Sequence, residues 1–290
     1  MNALRNVTAL SLAAAAGAVL GLAQVAAAEL TDITTLGADF GGGDDRVQGV
    51  QITLVAWYCA MAVPLAVILA GARRGLGRTA RWATVLAAAA GTLATWPLVA
   101  SVSGDGLHDE AVRAVITGTL FGAVGAAIVV LVPVVGRGLA AYAGLLWAAA
   151  LAFTGFVSNT VVYAGMVEPL DLDFLDSWRG SVPDLPDELG YHVTTMLPVA
   201  VVILLFAGVV GGFAARRTGS WPRSVAAAVA GPVLTAILYR LPPRELFLWN
   251  ESAALATLLL AGGCLLIAAV TALVFRRRTP DSAPGEEQSE

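Results

Sequence analysis

The sequence predicts an all-α fold, a polytopic bundle of transmembrane helices with eight spans and both termini on the cytoplasmic side. Three observations lead there. The chain has 290 residues, 58% of them hydrophobic and 13% charged, against about 25% charged in ordinary soluble domains. Its mean hydropathy of +0.77 reflects more apolar surface than a soluble interior can hide, so lipid is the expected solvent. The charges also cut the chain into uncharged runs near the length of about 20 residues that carries a helix across a bilayer.

Those runs cover residues 6–28, 47–72, 82–104, 114–136, 138–167, 189–215, 224–239 and 252–275. The first follows Arg5 and ends in Ala26-Ala27-Ala28 before Glu29, a pattern that also fits a cleaved signal peptide. It exceeds the signal core of about 7–15 residues, which favours a retained helix; cleavage would leave seven spans and an outer N-terminus. The second brings in Trp57, Tyr58 and Cys59, and the third carries Trp96-Pro97 in its outer half. In the fourth, Gly118 and Gly122 stand four apart, as Gly17 and Gly21 do in the first and Gly208 and Gly212 in the sixth. Such spacing lets helix backbones approach closely in lipid, within one bundle or across a homodimer face. The seventh is the short one, with 16 residues between Arg223 and Arg240. It spans if both guanidinium groups snorkel to opposite interfaces. The eighth holds Cys264 at a depth similar to Cys59 in the second, where buried structural thiols are expected.

Charge asymmetry sets the orientation. With the N-terminus inside, the inner segments carry 12 of the 17 basic residues, all of them Arg, and 17 of the 21 acids lie outside. Orientation follows the basic residues of short loops, and dropping any middle span would spoil the alternation after it. The absence of Lys alongside abundant Ala, Gly and Val reads as a GC-rich bacterial genome, so the bacterial plasma membrane is the expected location. Residues 1–278 form the transmembrane domain, and the polar, acidic segment 279–290 reads as a disordered cytoplasmic tail.

A faint internal repeat suggests halves 1–137 and 138–278. Ala72-Arg73-Arg74-Gly75 followed by Trp82 resembles Ala215-Arg216-Arg217-Thr218-Gly219 followed by Trp221, and Thr119-Leu120 matches Thr257-Leu258. Parallel repeats of this kind occur in transporters. Similar composition of Arg-rich loops and Ala-rich helices would give the same likeness, and both readings stand open.

The chemistry begins with what is missing. No run holds an Asp, Glu, Arg or His near its middle, which disfavours a carboxylate-relay antiporter. No Walker-type glycine loop appears, and no Cys or His group has metal-ligand spacing. No cofactor, metal or nucleic acid is implied; the lipid bilayer is the expected partner, with a homo-oligomer or a partner subunit left open. Polar residues gather instead toward the outer leaflet. Trp96, Ser158, Asn159, Tyr163, His192, Thr194, Thr195, Tyr239 and Arg240 read either as an interfacial belt or as an outward-facing polar cavity, helped by Gly231-Pro232 in the short seventh span. Ser158 with His192 lacks the surroundings of a nucleophile site. The acids Asp171, Asp173, Asp176, Asp184, Asp187 and Glu188 read as a solvated loop, without EF-hand spacing. The outer face sums to five Arg against seventeen acids, a field that attracts cations. Two functions follow from different classes: a permease-like protein for an apolar or weakly polar solute or lipid, or a non-catalytic membrane subunit or scaffold. An enzyme is the more distant reading.

Overall fold

In hydrocarbon every backbone N–H and C=O must find its partner within the protein, and the uncharged runs meet that demand as helices. The computed structural model describes residues 2–31, 33–34, 36–37, 45–71, 76–104, 108–156, 160–163, 166–169, 187–239 and 247–275, several helix ends as backbone only. Helix α1 covers Asn2–Leu30, α2 Asp45–Gly71, and α3 Arg78–Thr92, which passes through a 3-10 turn at Leu93–Thr95 into α4, Trp96–Val102. Then come α5 His108–Leu131, α6 Pro133–Phe156, α7 Asp187–Thr218, α8 Trp221–Leu238 and α9 Phe247–Phe275. With α3 and α4 taken as one span, eight helices are long and apolar enough to cross a membrane. That architecture is the one expected for a multi-pass membrane protein, and the short seventh span is among the eight.

Proline and glycine place the breaks. Pro133 has no N–H to continue α5 and suits the first helical position, so the chain turns at Val132, ahead of Arg137. Pro97 removes the donor that the carbonyl four residues earlier would use, and the helix tightens just before it. Gly219 adopts φ 63° where α7 gives way to α8, and its N–H bonds to Ala215 O at 3.0 Å or less, 2.9 Å; a side chain there would be strained. The fifth span differs from its uncharged run. Helix α6 stops at Phe156, and Thr160–Tyr163 (β1) pairs antiparallel with Met166–Pro169 (β2), Thr160 opposite Pro169. The lack of charge through residue 167 reflected an apolar hairpin after the helix. It is the one element among those described that is not helical.

Glycines bring spans two places apart in the chain side by side and parallel. Between α1 and α3, a side chain at Gly17 would strike the Ala88 carbonyl and one at Gly91 the Ala14 carbonyl. Between α2 and α5, Gly118 and Gly122 lie on the backbones of Ala56 and Ala60. Gly138 of α6 rests on Ala227 of α8, and Gly231 of α8 rests on the Tyr142 ring. Gly211 of α7 rests on Ala268 of α9, while Gly208 and Gly212 face Ile267 and Phe275. Only hydrogen side chains permit approaches this close, and dispersion between backbones is a main source of helix association in lipid. All six glycines spaced in pairs along the sequence are therefore used inside the bundle.

Helix α2 is the axis of the assembly. In its most apolar stretch 83% of residues are buried, against 22% for α9 at the periphery. One core cluster runs from Val25 and Ile52 through Trp57, Tyr142 and Ile203 to Cys264, so it joins the first four spans to the last four. At the opposite end of the bundle from Leu30, the Arg216 guanidinium sits 4.5 Å from the Phe275 ring centroid and that of Arg217 4.4 Å from Phe213. These contacts hold charge at the membrane edge while the stems cover apolar surface.

Candidate junction between the two groups of helices

Among the described residues no charged side chain is buried, and the buried polar ones are Gln and Thr with a single Ser. Gln24 is the most connected. It lies on α1, six residues before Leu30, and is 8% exposed. Its Nε2 donates to Leu20 O at 3.1 Å and, across to α2, to Tyr58 O at 3.2 Å. Its Oε1 accepts from Trp147 Nε1 of α6 at 3.1 Å. One amide thus ties the first, second and fifth spans. In an apolar interior a bond of this kind has no competing water, although its measured net worth inside membranes averages only about 0.6 kcal/mol.

Aromatic rings complete the site. Tyr58 stacks on Trp147 with centroids 5.5 Å apart and planes 26° apart, and Trp57 meets Tyr58 edge to face at 5.7 Å and 75°. Both arrangements are favoured by the ring quadrupole. Trp57 and Tyr58 are each only 2% exposed, yet Trp57 Nε1 and Tyr58 OH have no hydrogen-bond partner among the described residues. Thr34 Oγ1, in the short segment after α1, is buried in the same state. That segment is pinned over the helix ends: Leu36 N donates to Glu29 Oε1 at 3.1 Å and Gly104 N to Leu36 O at 3.0 Å.

A second, simpler contact lies deeper. Tyr142 OH and Thr235 Oγ1 share a hydrogen bond at 3.3 Å between α6 and α8, and the Tyr142 ring tilts against Phe206 of α7 at 6.4 Å. It ties the fifth, sixth and seventh spans together. The thiols divide between the two groups, both free and buried: Cys59 meets Thr119 of α5, and Cys264 Sγ lies 4.0 Å from Ile203 O of α7.

The outer polar residues read from the sequence fall in different places. Trp96 is 48% exposed on α4, whereas Tyr239 is fully buried in the turn after α8. Tyr163 lies on β1, and His192, Thr194 and Thr195 lie in the first part of α7, as backbone placements. Ser158, Asn159 and Arg240 lie outside the described residues, as do most of the loop acids, the tail and Arg276 to Arg278. Among the described residues no group of three or more His, Cys, Asp or Glu side chains could hold a metal ion.

Sequence reasoning missed Gln24 and Trp147 and noted Trp57 and Tyr58 only as residues that enter with the second span. The available signal was the amide itself, a group with two donors and an acceptor set inside an apolar run. No protein-family model matches this chain, and neither a curated protein nor a solved structure is significantly similar to it.

Proposed function

We propose that the chain is a permease-like protein of a bacterial plasma membrane, with both termini cytoplasmic and the first helix retained. It passes an apolar or weakly polar solute or lipid between two four-helix halves. The observation that carries this reading is the junction itself. The two groups of helices meet through a hydrogen-bonded amide and an aromatic set with unpartnered donors, in a bundle where glycine and alanine make many of the close approaches between helices. A junction of that kind is where two halves can part at low cost, because polar groups there exchange partners with a solute. The matching arrangement of the halves supports a tandem repeat. In each, the first span packs parallel to the third and the second to the fourth, as expected of parallel repeats related by an axis along the membrane normal. Asn159, Thr194 and Arg240 belong to the outer vestibule in this reading, with the acidic outer loops above them.

The scaffold alternative expected a seam of small residues left facing lipid. The paired glycines are instead consumed between helices of one chain, which favours the permease-like reading.

The deciding experiment is cysteine accessibility in intact cells, on a Cys59→Ala, Cys264→Ala background. Single cysteines go at Leu146, beside Trp147 at the junction, at Asn159 and Thr194, and at Ser103 and Ser220 as orientation controls. An impermeant thiol reagent is expected to label Ser103 and not Ser220, and to reach Leu146 in a fraction of molecules. Protection at Leu146, Asn159 and Thr194 while Ser103 reacts would remove the permease reading and leave the scaffold. The intact mass of the purified protein tests retention: it should include residues 2–28.

A further inference from the structure

Two adjacent side chains on α2 carry polar hydrogens without an acceptor among the described residues. Trp57 Nε1 and Tyr58 OH are both in residues 2% exposed, and both lack an acceptor among the described residues. Their neighbours are satisfied. Trp147 Nε1 is taken by Gln24 Oε1, and both hydrogens of Gln24 Nε2 go to the carbonyls of Leu20 and Tyr58. Thr34 Oγ1 shares the deficit, and at Tyr58 a Phe would remove the hydroxyl without loss of ring area. In a protein interior such groups are rare and are explained by function or by a bound molecule, and in hydrocarbon the penalty is at its greatest.

The chemistry of the missing molecule follows from its hosts. It must present acceptors, since an indole N–H can only donate. It is not an anion: no basic side chain is buried among the described residues, and the half-buried Glu29 carboxylate lies close enough to act on Tyr58. It must tolerate aromatic surroundings and arrive through an apolar interior. A carbonyl compound dissolved in the membrane meets all of these conditions. A water molecule is the competing occupant, and the Tyr58→Phe variant described below separates the two.

We infer that Trp57 and Tyr58 are the hydrogen-bonding end of a binding site for a neutral, lipid-soluble carbonyl compound, with Trp147 and Gln24 holding the Tyr58 ring in place. This names the ligand of the junction and rests on the permease-like reading for the route by which it enters. The carbonyl can come from a free small molecule, such as a quinone ring, or from the acyl ester of a phospholipid.

The test uses the full chain in nanodiscs of diether phospholipid, which has no ester carbonyl, with melting followed by circular dichroism. Titration with a short-chain benzoquinone is expected to raise the Tm. Trp57→Phe and Tyr58→Phe are each expected to weaken the apparent affinity roughly tenfold, the worth of one well-made hydrogen bond. Diester discs that raise the Tm without quinone, again only while Trp57 and Tyr58 are intact, would identify the lipid ester as the source. No rise with either carbonyl overturns the inference. So does an equal rise in the two Phe variants. The variants without ligand give an independent check, because removing an unsatisfied hydroxyl should leave the Tm unchanged or higher. A lower Tm for Tyr58→Phe would show that a hidden water already holds the hydroxyl, and the site would fall. Quinone binding with Leu146 protected from label would keep the site and sink the permease reading; labelling without binding would do the reverse.

Discussion

Helices α2 and α9 look alike as strings. Each is free of charge across the membrane, and each carries one fully buried cysteine, Cys59 and Cys264. Yet α2 is buried over 83% of its most apolar stretch and α9 over 22%. In water a helix with apolar residues all round must be central. In lipid the outside is as apolar as the inside, so hydrophobicity stops reporting position. Side-chain size reports it instead. On α9 the small residues Thr257, Ala261, Cys264, Ala268 and Ala272 form one buried stripe, while Leu258, Leu259, Leu265, Leu266 and Leu273 face outward. On α2 the small residues Ala56, Ala60, Ala62, Ala66 and Ala70 cover an arc of about 160°, roughly twice that of the α9 stripe, and the large Trp57, Tyr58 and Met61 are buried as well.

The sharpest way to break this contrast is a pair of glycine substitutions. A side chain at Gly118 meets the Ala56 backbone of α2, whereas one at Gly262 of α9 has nothing within 4 Å. Gly118→Leu should cost more than about 3 kcal/mol, at the upper end of overpacking effects, and Gly262→Leu should stay within about 0.5 kcal/mol. Thermal melting in detergent measures both, and equal losses would refute the placement of α2 at the axis. Next in size is truncation. Met61 on α2 is fully buried and Leu266 on α9 is 66% exposed. Met61→Ala is expected to cost about 2–3 kcal/mol, and Leu266→Ala nearly nothing, since lipid tails occupy the vacated space.

Gln24→Leu comes third, at about 1–2 kcal/mol, because it strands the Trp147 indole hydrogen. Combining it with Trp147→Phe should recover part of the loss; a double variant no better than the sum of its parts would mean the amide and indole are not coupled. The smallest effect belongs to Cys264→Ala. Its thiol makes only a long contact of 4.0 Å to Ile203 O, so the melting temperature should move by an amount equivalent to less than about 1 kcal/mol.

The number of spans was legible because it rests on charge, which lipid rejects strongly enough to mark each boundary. Ends set by something other than charge were not. Pro133 moved the fourth turn to Val132, and the apolar segment from Thr160 to Pro169 left the helix to form a hairpin. Neighbour relations were hidden too, since a glycine pair announces close approach without naming the partner. Gly118 and Gly122 could have met any helix; only the structure places them on Ala56 and Ala60. The junction was missed for a related reason. Search for ionisable groups passes over an amide, and Trp57 and Tyr58 resemble belt residues until their burial is known. Of the outer polar set, Trp96 and Tyr239 have described side chains, one half exposed and one fully enclosed.

The parallel pairing of spans two places apart has a consequence for synthesis. Helices enter the membrane in chain order, but the partner that glycine contacts join to the first, second, fifth and sixth spans is not the next to arrive. The contacts from Ile203 to Cys264, Gly17 to Thr92 and Tyr142 to Thr235 reach across 61, 75 and 93 positions of sequence. At about 5–20 residues per second, a newly inserted helix waits roughly 3–20 s for its mate, with another span threaded in the opposite direction meanwhile. During that wait its glycine face lies open to lipid or to the insertion machinery. The bundle is therefore assembled by delayed capture, and Gly17 spends its first seconds as a vacancy that only the third span can fill.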